Sequence, residues 1–231
     1  MSKTARARAT GPAQKTMAKF LDGAEAVFGI HGYEGTTIRA ISTKAGVNLG
    51  TFQHYWGSKR DLFRNVFERR FKPLHEQLLR DFQAIEAEAA TTGAVRSTQV
   101  LRTMIRTALP ANEDDCKFLA PDMKGTAGRK RFQALFGRAL LDPSPIVAAE
   151  MNRIFDPAMT LFMDLMRRAC PQLRRAELDW RVICIMGSLA FAQTFTPRRG
   201  KWLGPESEAD DAVAGEWVLH FLSRGIDAPP F

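Results

Sequence analysis

Cysteine, tyrosine and histidine are scarce in this 231-residue chain, which holds three, two and four of them respectively. Two of these scarcities remove a class of function. The cysteines, Cys116, Cys170 and Cys184, are odd in number and show no Cys-x-x-Cys spacing, so no disulfide framework is encoded. They are expected to be reduced thiols of a cytoplasmic protein, acting as small buried hydrophobes. The histidines, His31, His54, His75 and His220, lack the spacing of metal ligands, and no metal is expected. No apolar run approaches the ~20 residues that a membrane span needs; the longest is Val182–Ala192. Met1–Lys19 lacks the apolar centre of a secretory signal, so no membrane partner is expected. Alternating β-branched runs are also nearly absent, which argues against sheets.

Motifs for cofactors and catalysis are missing too. Gly125-Thr126-Ala127-Gly128-Arg129-Lys130 has the wrong glycine spacing for a phosphate loop, and no Lys-Ser/Thr pair follows. There is no Gly-x-Gly-x-x-Gly after a strand and no Gly-x-Ser-x-Gly. No cofactor and no catalytic residue are therefore expected.

What is present is a greasy, charged, helical chain. Hydrophobic residues make up 45% and charged residues 25%, with 16 phenylalanines and nine methionines. That is the balance of an ordinary folded domain. The net charge of +8 is confined to one region. Residues 1–72 carry 13 Lys/Arg against five Asp/Glu, an excess of eight, whereas the remaining 159 residues carry 20 of each. A basic first third on a neutral remainder fits a segment that neutralises phosphates.

Helical periodicity recurs from end to end, and the predicted class is all-α. A flexible basic arm over residues 1–12 precedes a helix from about Ala13 to Ile30, with Met17, Leu21, Ala24 and Phe28 on one stripe. Thr37 caps a short second helix, Gly46 ends it, and Asn48 caps a third over about Leu49–Tyr55. Ser58-Lys59-Arg60-Asp61 is a capping-box variant that opens a fourth helix to about Phe71. Pro73 is expected to break that helix and open another over about 74–90. Further helices are predicted at about 96–109, 128–141, 145–170, 176–196 and 209–224, with Pro157 kinking the long one. The domain division is then an arm (1–12), a basic head (13–72) and a neutral body (73–231).

The second helix, the Ala45-Gly46-Val47-Asn48 turn and the third helix have the spacing of a helix-turn-helix. In that motif the second of the two helices enters the major groove, so its outer side must be short and polar. Leu49, Gly50, Gln53 and His54 fit that side, while Val47 and Phe52 point to the core.

Thr37-Ile-Arg-Ala-Ile-Ser-Thr-Lys-Ala-Gly-Val-Asn-Leu-Gly-Thr-Phe-Gln-His-Tyr-Trp-Gly-Ser-Lys-Arg-Asp-Leu62 resembles the signature of the tetracycline-repressor (TetR) family. The matching features are the Thr cap, the Ala-Gly-Val turn, Gly-Thr, an aromatic run and Ser-Lys-x-x-Leu. Ser42 stands where Ala is usual, Asn48 where Ser is, Gln53 where Tyr is common and Trp56 where Phe is. The resemblance implies that Thr37, Thr51, Tyr55 and Lys59 hold phosphates, which fixes register without reading sequence. It places Leu49, Gly50 and Gln53 near base edges, with Gln suited to adenine and Leu to a thymine methyl. His54 falls at either a phosphate or a base, or is simply a packed surface histidine. Trp56 reads better as core, and Lys3, Arg6 and Arg8 as either a minor-groove arm or a solvated tail.

The same resemblance implies a C-terminal body that dimerises and binds an effector. Ile183, Gly187 and Phe191 on one helix, with Val213, Trp217 and Phe221 on the last, would form a four-helix bundle across a two-fold axis. Phe118, Met123, Phe132, Phe136, Met151, Phe155, Met159 and Phe162 are the candidate effector pocket, although any of them also reads as core. The expected function is a regulator, a repressor that binds a palindromic double-stranded DNA operator as a homodimer and is released by a small, largely apolar effector. The rival is an enzyme whose helical catalytic body is fused to a DNA-binding head. A basic head docking an acidic membrane surface is a weaker rival, since a capped helix-turn-helix would then serve no purpose.

Overall fold

The computed structural model describes residues 11–109, 132, 135–195 and 211–230. Every regular element among them is a helix: α1 (Gly11–His31), α2 (Ile38–Ala45), α3 (Leu49–Tyr55), α4 (Lys59–Thr92), α5 (Ser97–Ala108), α6 (Pro145–Ala169), α7 (Arg175–Phe195) and α8 (Asp211–Ile226). Residues 135–141 are also helical. Among the described residues, no helix is long and apolar enough to cross a membrane. The basic arm, Cys116 and the Gly125–Lys130 segment lie largely or wholly outside them.

The short helices end where their local chemistry ends them. Thr37 is extended and its side chain accepts from the Ala40 amide at 3.1 Å, while Gly46 stops α2 at φ 63° and ψ 36°. Asn48 accepts from the Gly50 amide at 2.8 Å to start α3. The Ser58 hydroxyl accepts from the Asp61 amide at 3.0 Å to start α4.

The fourth helix departs from expectation, because α4 runs unbroken through Pro73. A proline inside a helix removes one hydrogen bond and crowds the preceding turn, at a cost of about 3 kcal/mol. Here one apolar stripe continues in phase across it, with Phe63, Phe67, Phe71, Leu74, Leu78 and Phe82 all buried. Burying such side chains returns ~1.5–3 kcal/mol each, so packing outweighs the break. Helix α6 likewise continues through Pro157.

The chain divides into two compact units, Met1–Lys72 with Arg138–Arg153 and Pro73–Gly137 with Ile154–Phe231. In the first, a run of rings forms the centre: Phe28 against Phe63 at 4.8 Å, Tyr33 against Phe63 at 5.0 Å, and Phe63 against Phe67 at 4.1 Å. Around it, Arg69 bridges Asp22 and Glu25, and Arg70 pairs with Glu25. Residues 138–153 belong to this unit by contact. The Tyr33 amide donates to Asp142 at 3.3 Å, and the Ser144 hydroxyl donates to Glu34 at 3.1 Å. Glu150, 2% exposed, receives Arg64 at 2.9 Å and Arg153 at 2.7 Å. Burial pushes the Glu150 carboxyl up, but the hydrogen bonds and charges of the two guanidiniums outweigh it and hold the pKa below the ordinary value.

The second unit has an apolar core that includes Phe82, Val100, Leu101, Phe162, Leu165 and Met166. Helix α8 packs on α5 and α7. Arg181 of α7 fixes the end of α8, donating to the carbonyls of Gly225, Ile226, Ala228 and Pro229 at 2.6–3.1 Å and to Glu177 at 2.6 Å. A guanidinium at the last carbonyls of a helix satisfies acceptors that would otherwise be orphaned.

Candidate nucleic-acid interface

The head places α3 by two devices. The first is a close approach of α1 to α2 at Gly23, where an added Cβ would sit 3.0 Å from the Ala45 Cβ, the Ala45 nitrogen and the Ile41 carbonyl oxygen. Only glycine fits there without displacing backbone. The second is the inner side of α3, where Phe52 is 2% exposed and packs edge-on to Phe20 at 6.0 Å. Trp56, the C-cap of α3, is buried as core. Val47 is half-buried.

Fixing the inner side commits the outer one. Leu49 (47% exposed), Gly50, Gln53 and His54 all face solvent, and Thr51 and Tyr55 are half-buried. His54 and Tyr55 stand edge to face at 4.9 Å. Thr37 is exposed and also serves as the cap of α2. Of the eight residues expected to face DNA, six lie on α3, Thr37 caps α2 and Lys59 opens α4. Lys59 has a further duty: its ammonium donates to the Tyr33 and Thr36 carbonyls at 2.9 and 3.1 Å and stands 4.2 Å from the Tyr33 ring centroid. Two of its three hydrogens are committed within the head, which leaves one for a phosphate.

The basic excess also sorts into two groups. Arg64, Arg69 and Arg70 are neutralised by Glu150, Asp22 and Glu25. Arg39, Lys44 and Arg60 are exposed and form no ion pair with the described residues. Arg39 and Thr43 line a cleft of about 470 Å³ with Ser42, Gly46, Val47, Asn48 and Leu49, at the N-terminal end of α3. Arg39 and Thr43 are not among the residues expected from the sequence, which include only the cap, Thr37, from α2. Their place at i and i+4 on the outer face of α2 was the available signal.

Of the candidate pocket residues, Phe118 and Met123 lie outside the described residues. Met151 is buried in the first unit. In the second unit Phe132 stacks on Phe136 at 5.9 Å and Phe136 meets Phe155 at 5.8 Å, whereas Phe162 pairs with Phe82 at 5.8 Å in the core. Met159 is half-buried against the core. Phe155 also meets His75 edge-on at 6.0 Å. Sequence reasoning left His75 unassigned, yet it falls one turn from Phe71 in the apolar stripe of α4. Among the described residues, no group of three or more His, Cys, Asp or Glu is placed to hold a metal.

The candidate dimer residues lie on the outer sides of α7 and α8. Ile183, Phe191, Val213, Trp217 and Phe221 are all exposed, joined by Trp180 at 68%, while Leu178, Val182, Ile185 and Leu189 bury the opposite side of α7. A Cβ added at Gly187 would meet nothing within 4 Å.

Comparison with known proteins matches two separate stretches of the chain. Residues 20–66 match the family described as bacterial regulatory proteins, tetR family, and residues 118–225 match the tetracyclin repressor-like C-terminal domain. The HTH-type transcriptional repressor AcnR of Corynebacterium glutamicum is 40% identical over 45 residues, 20% of this chain and 24% of that repressor. The chain thus aligns with about a quarter of the length of that relative. Among solved structures, the fatty acid degradation regulator FadR of Bacillus halodurans superposes with a TM-score of 0.54 at 16% identity, covering 95% of this chain and 99% of that one. The transcriptional regulator FadR of Bacillus subtilis, solved in complex with stearoyl-CoA, superposes with a TM-score of 0.51 at 15% identity, covering 90% and 98%. At such identities the likeness concerns the fold.

Proposed function

The chain belongs to the TetR family of bacterial regulatory proteins, and from that premise we propose that it is a repressor that grips a palindromic operator as a homodimer. The observation that carries this is α3, a seven-residue helix capped by Asn48, buried on one side through Phe52 and presenting Leu49, Gln53 and His54 outward. Arg39, Lys44 and Arg60 supply unneutralised charge beside it. Gln53 is assigned to a base edge, and Thr37, Thr51, Tyr55 and the remaining hydrogen of Lys59 to phosphates. The AcnR match, which falls on a described repressor, supports repression.

A helix this short covers only a few base pairs, so useful affinity requires two heads. The exposed apolar stripes of α7 and α8 supply a surface for a second copy, being larger than scattered single residues. The effector is assigned to the buried Phe132–Phe136–Phe155 ring cluster, and the fold shared with a FadR solved with an acyl-CoA favours an apolar occupant. Selection of bound sequences from random duplexes tests the operator and homodimer parts of this reading. A palindrome whose half-site centres lie ~34–36 Å apart, or a multiple of that, is expected. Recovery of no enriched sequence would overturn it.

A further inference from the structure

The ring cluster of the second unit contains one polar atom that nothing satisfies. His75 Nδ1 is buried and has no hydrogen-bond partner, although the ring lies edge-on to Phe155. From Phe155 the contacts continue to Phe136 and then Phe132. The unmet nitrogen on α4 therefore stands at one end of a chain of three phenylalanine rings, with Phe155 against it. An unsatisfied buried nitrogen lowers stability, and a phenylalanine in its place would fit the same cluster without that penalty. Retaining an imidazole there makes sense if its partner arrives from outside.

We infer that His75 Nδ1 is the polar recognition point of the effector site, and that the effector is an apolar molecule carrying one uncharged hydroxyl. This rests on the sensor reading above and deepens it. A hydroxyl suits either tautomer, donating to a bare Nδ1 and accepting from a protonated one. Burial holds the His75 pKa below the ordinary histidine value, with Glu76 opposing it, so the ring is neutral at physiological pH. A neutral ring gives a carboxylate no charge to pair with, and burial beside the Phe155 ring makes desolvating a carboxylate costly. The missing hydrogen bond also supplies what a switch requires. Ligand binding satisfies an atom that stays unsatisfied in the ligand-free protein, so the two states differ in free energy for a reason built into the site.

The test uses 4-butylphenol and butylbenzene, which differ by one hydroxyl, with the full-length protein and calorimetric titration. The wild type is expected to bind the phenol about tenfold more tightly, the worth of one neutral hydrogen bond. In His75→Phe the ratio should fall to near one, and the ligand-free variant should melt at a higher temperature than the wild type. His75→Leu should behave like His75→Phe toward the two probes, which guards against a local misfit of either side chain. An undiminished ratio in both variants, a lower melting temperature for His75→Phe, or binding of neither compound by the wild type overturns the inference. Operator affinity is measured in parallel with duplexes obtained by selection. Phenol binding that depends on His75 but leaves operator affinity intact supports this site and overturns the sensor reading. Operator release that is equal in wild type and His75→Phe overturns this site alone.

Discussion

Gln53 and Arg39 stand on different helices of the head, and their loss should weaken DNA binding in different ways. Gln53 reaches out from α3 with an amide that can pair with adenine, so Gln53→Ala is expected to cost ~1–3 kcal/mol on the selected operator and to relax one position in each half-site. Arg39 carries a charge that no described carboxylate neutralises. If its guanidinium sits on phosphate, Arg39→Ala should weaken every duplex alike and reduce the salt slope by about one per subunit. Repeating the selection with each variant, and measuring affinity from 50 to 200 mM salt, separates the two roles. An unchanged motif with Gln53→Ala removes that residue from base reading. A relaxed motif with Arg39→Ala moves Arg39 onto the base edges.

Two titratable groups, one an acid and one a base, both make the protein less stable as pH falls, in different pH windows. The Glu150 pKa lies below the ordinary carboxylate value of 4.5, so its stabilisation is present above that value and disappears as pH falls through the folded-state pKa. Glu150→Gln should lower the melting temperature near pH 7 and remove part of the acid dependence below about pH 4.5. The His75 pKa also lies below its ordinary value of 6.5, but here the unfolded chain takes up the proton first. Stability is therefore retained above pH 6.5 and lost as pH falls below it. Melting curves of His75→Phe between pH 7 and 5 should be flatter than those of wild type; parallel curves would show that His75 does not contribute. Neither group was legible in the sequence as a special site, because Glu150 acts through Arg64, 86 positions away, and His75 through a ring cluster on other elements. The caps Thr37, Gly46 and Asn48 were legible, since each acts within four residues of itself.

At the scale of elements, the same contrast between local and distant causes explains what the sequence reveals. Helix α3 emerges at Leu49–Tyr55 as its caps imply, and the all-α class follows from periodicity alone. Pro73 reads as a break because the local rule for proline is strong, yet α4 passes through it. The overriding signal was the stripe from Phe63 to Phe82, visible only when the two halves are laid out in one register. Pro73→Ala should therefore leave the helix in place and raise stability by ~1–3 kcal/mol, part of the cost of a helical proline. Circular dichroism during thermal unfolding measures this. A fall in melting temperature with unchanged helix content would mean that the proline ring makes packing contacts that alanine cannot replace.

At the scale of the whole molecule, α7 is the helix whose two sides disagree with a solitary chain. Its inner side is buried by Leu178, Val182, Ile185 and Leu189, and its outer side is also apolar. That two-sided pattern can be read in the sequence, but whether the outer side meets its own chain or a second copy cannot. Gly187 offers a clean probe, because a Cβ added there meets no described atom within 4 Å. Gly187→Glu should fold normally, appear monomeric by light scattering and bind operator weakly. A dimer that persists in this variant would move the interface elsewhere on the body.

The outer stripe of α7 and α8 also has a consequence for gene dosage. If two protomers must meet before either head is useful, the operator-competent species in the dilute regime grows with the square of protomer abundance. Doubling the number of copies per cell would then quadruple the active form. The same mass action makes the melting temperature depend on protein concentration, with each tenfold dilution withdrawing about 1.4 kcal/mol from the folded dimer. A melting temperature that stays constant across a hundredfold dilution would show that each protomer stands alone. One that falls steadily would mean that the cell can tune this regulator's steepness by changing nothing but its rate of synthesis.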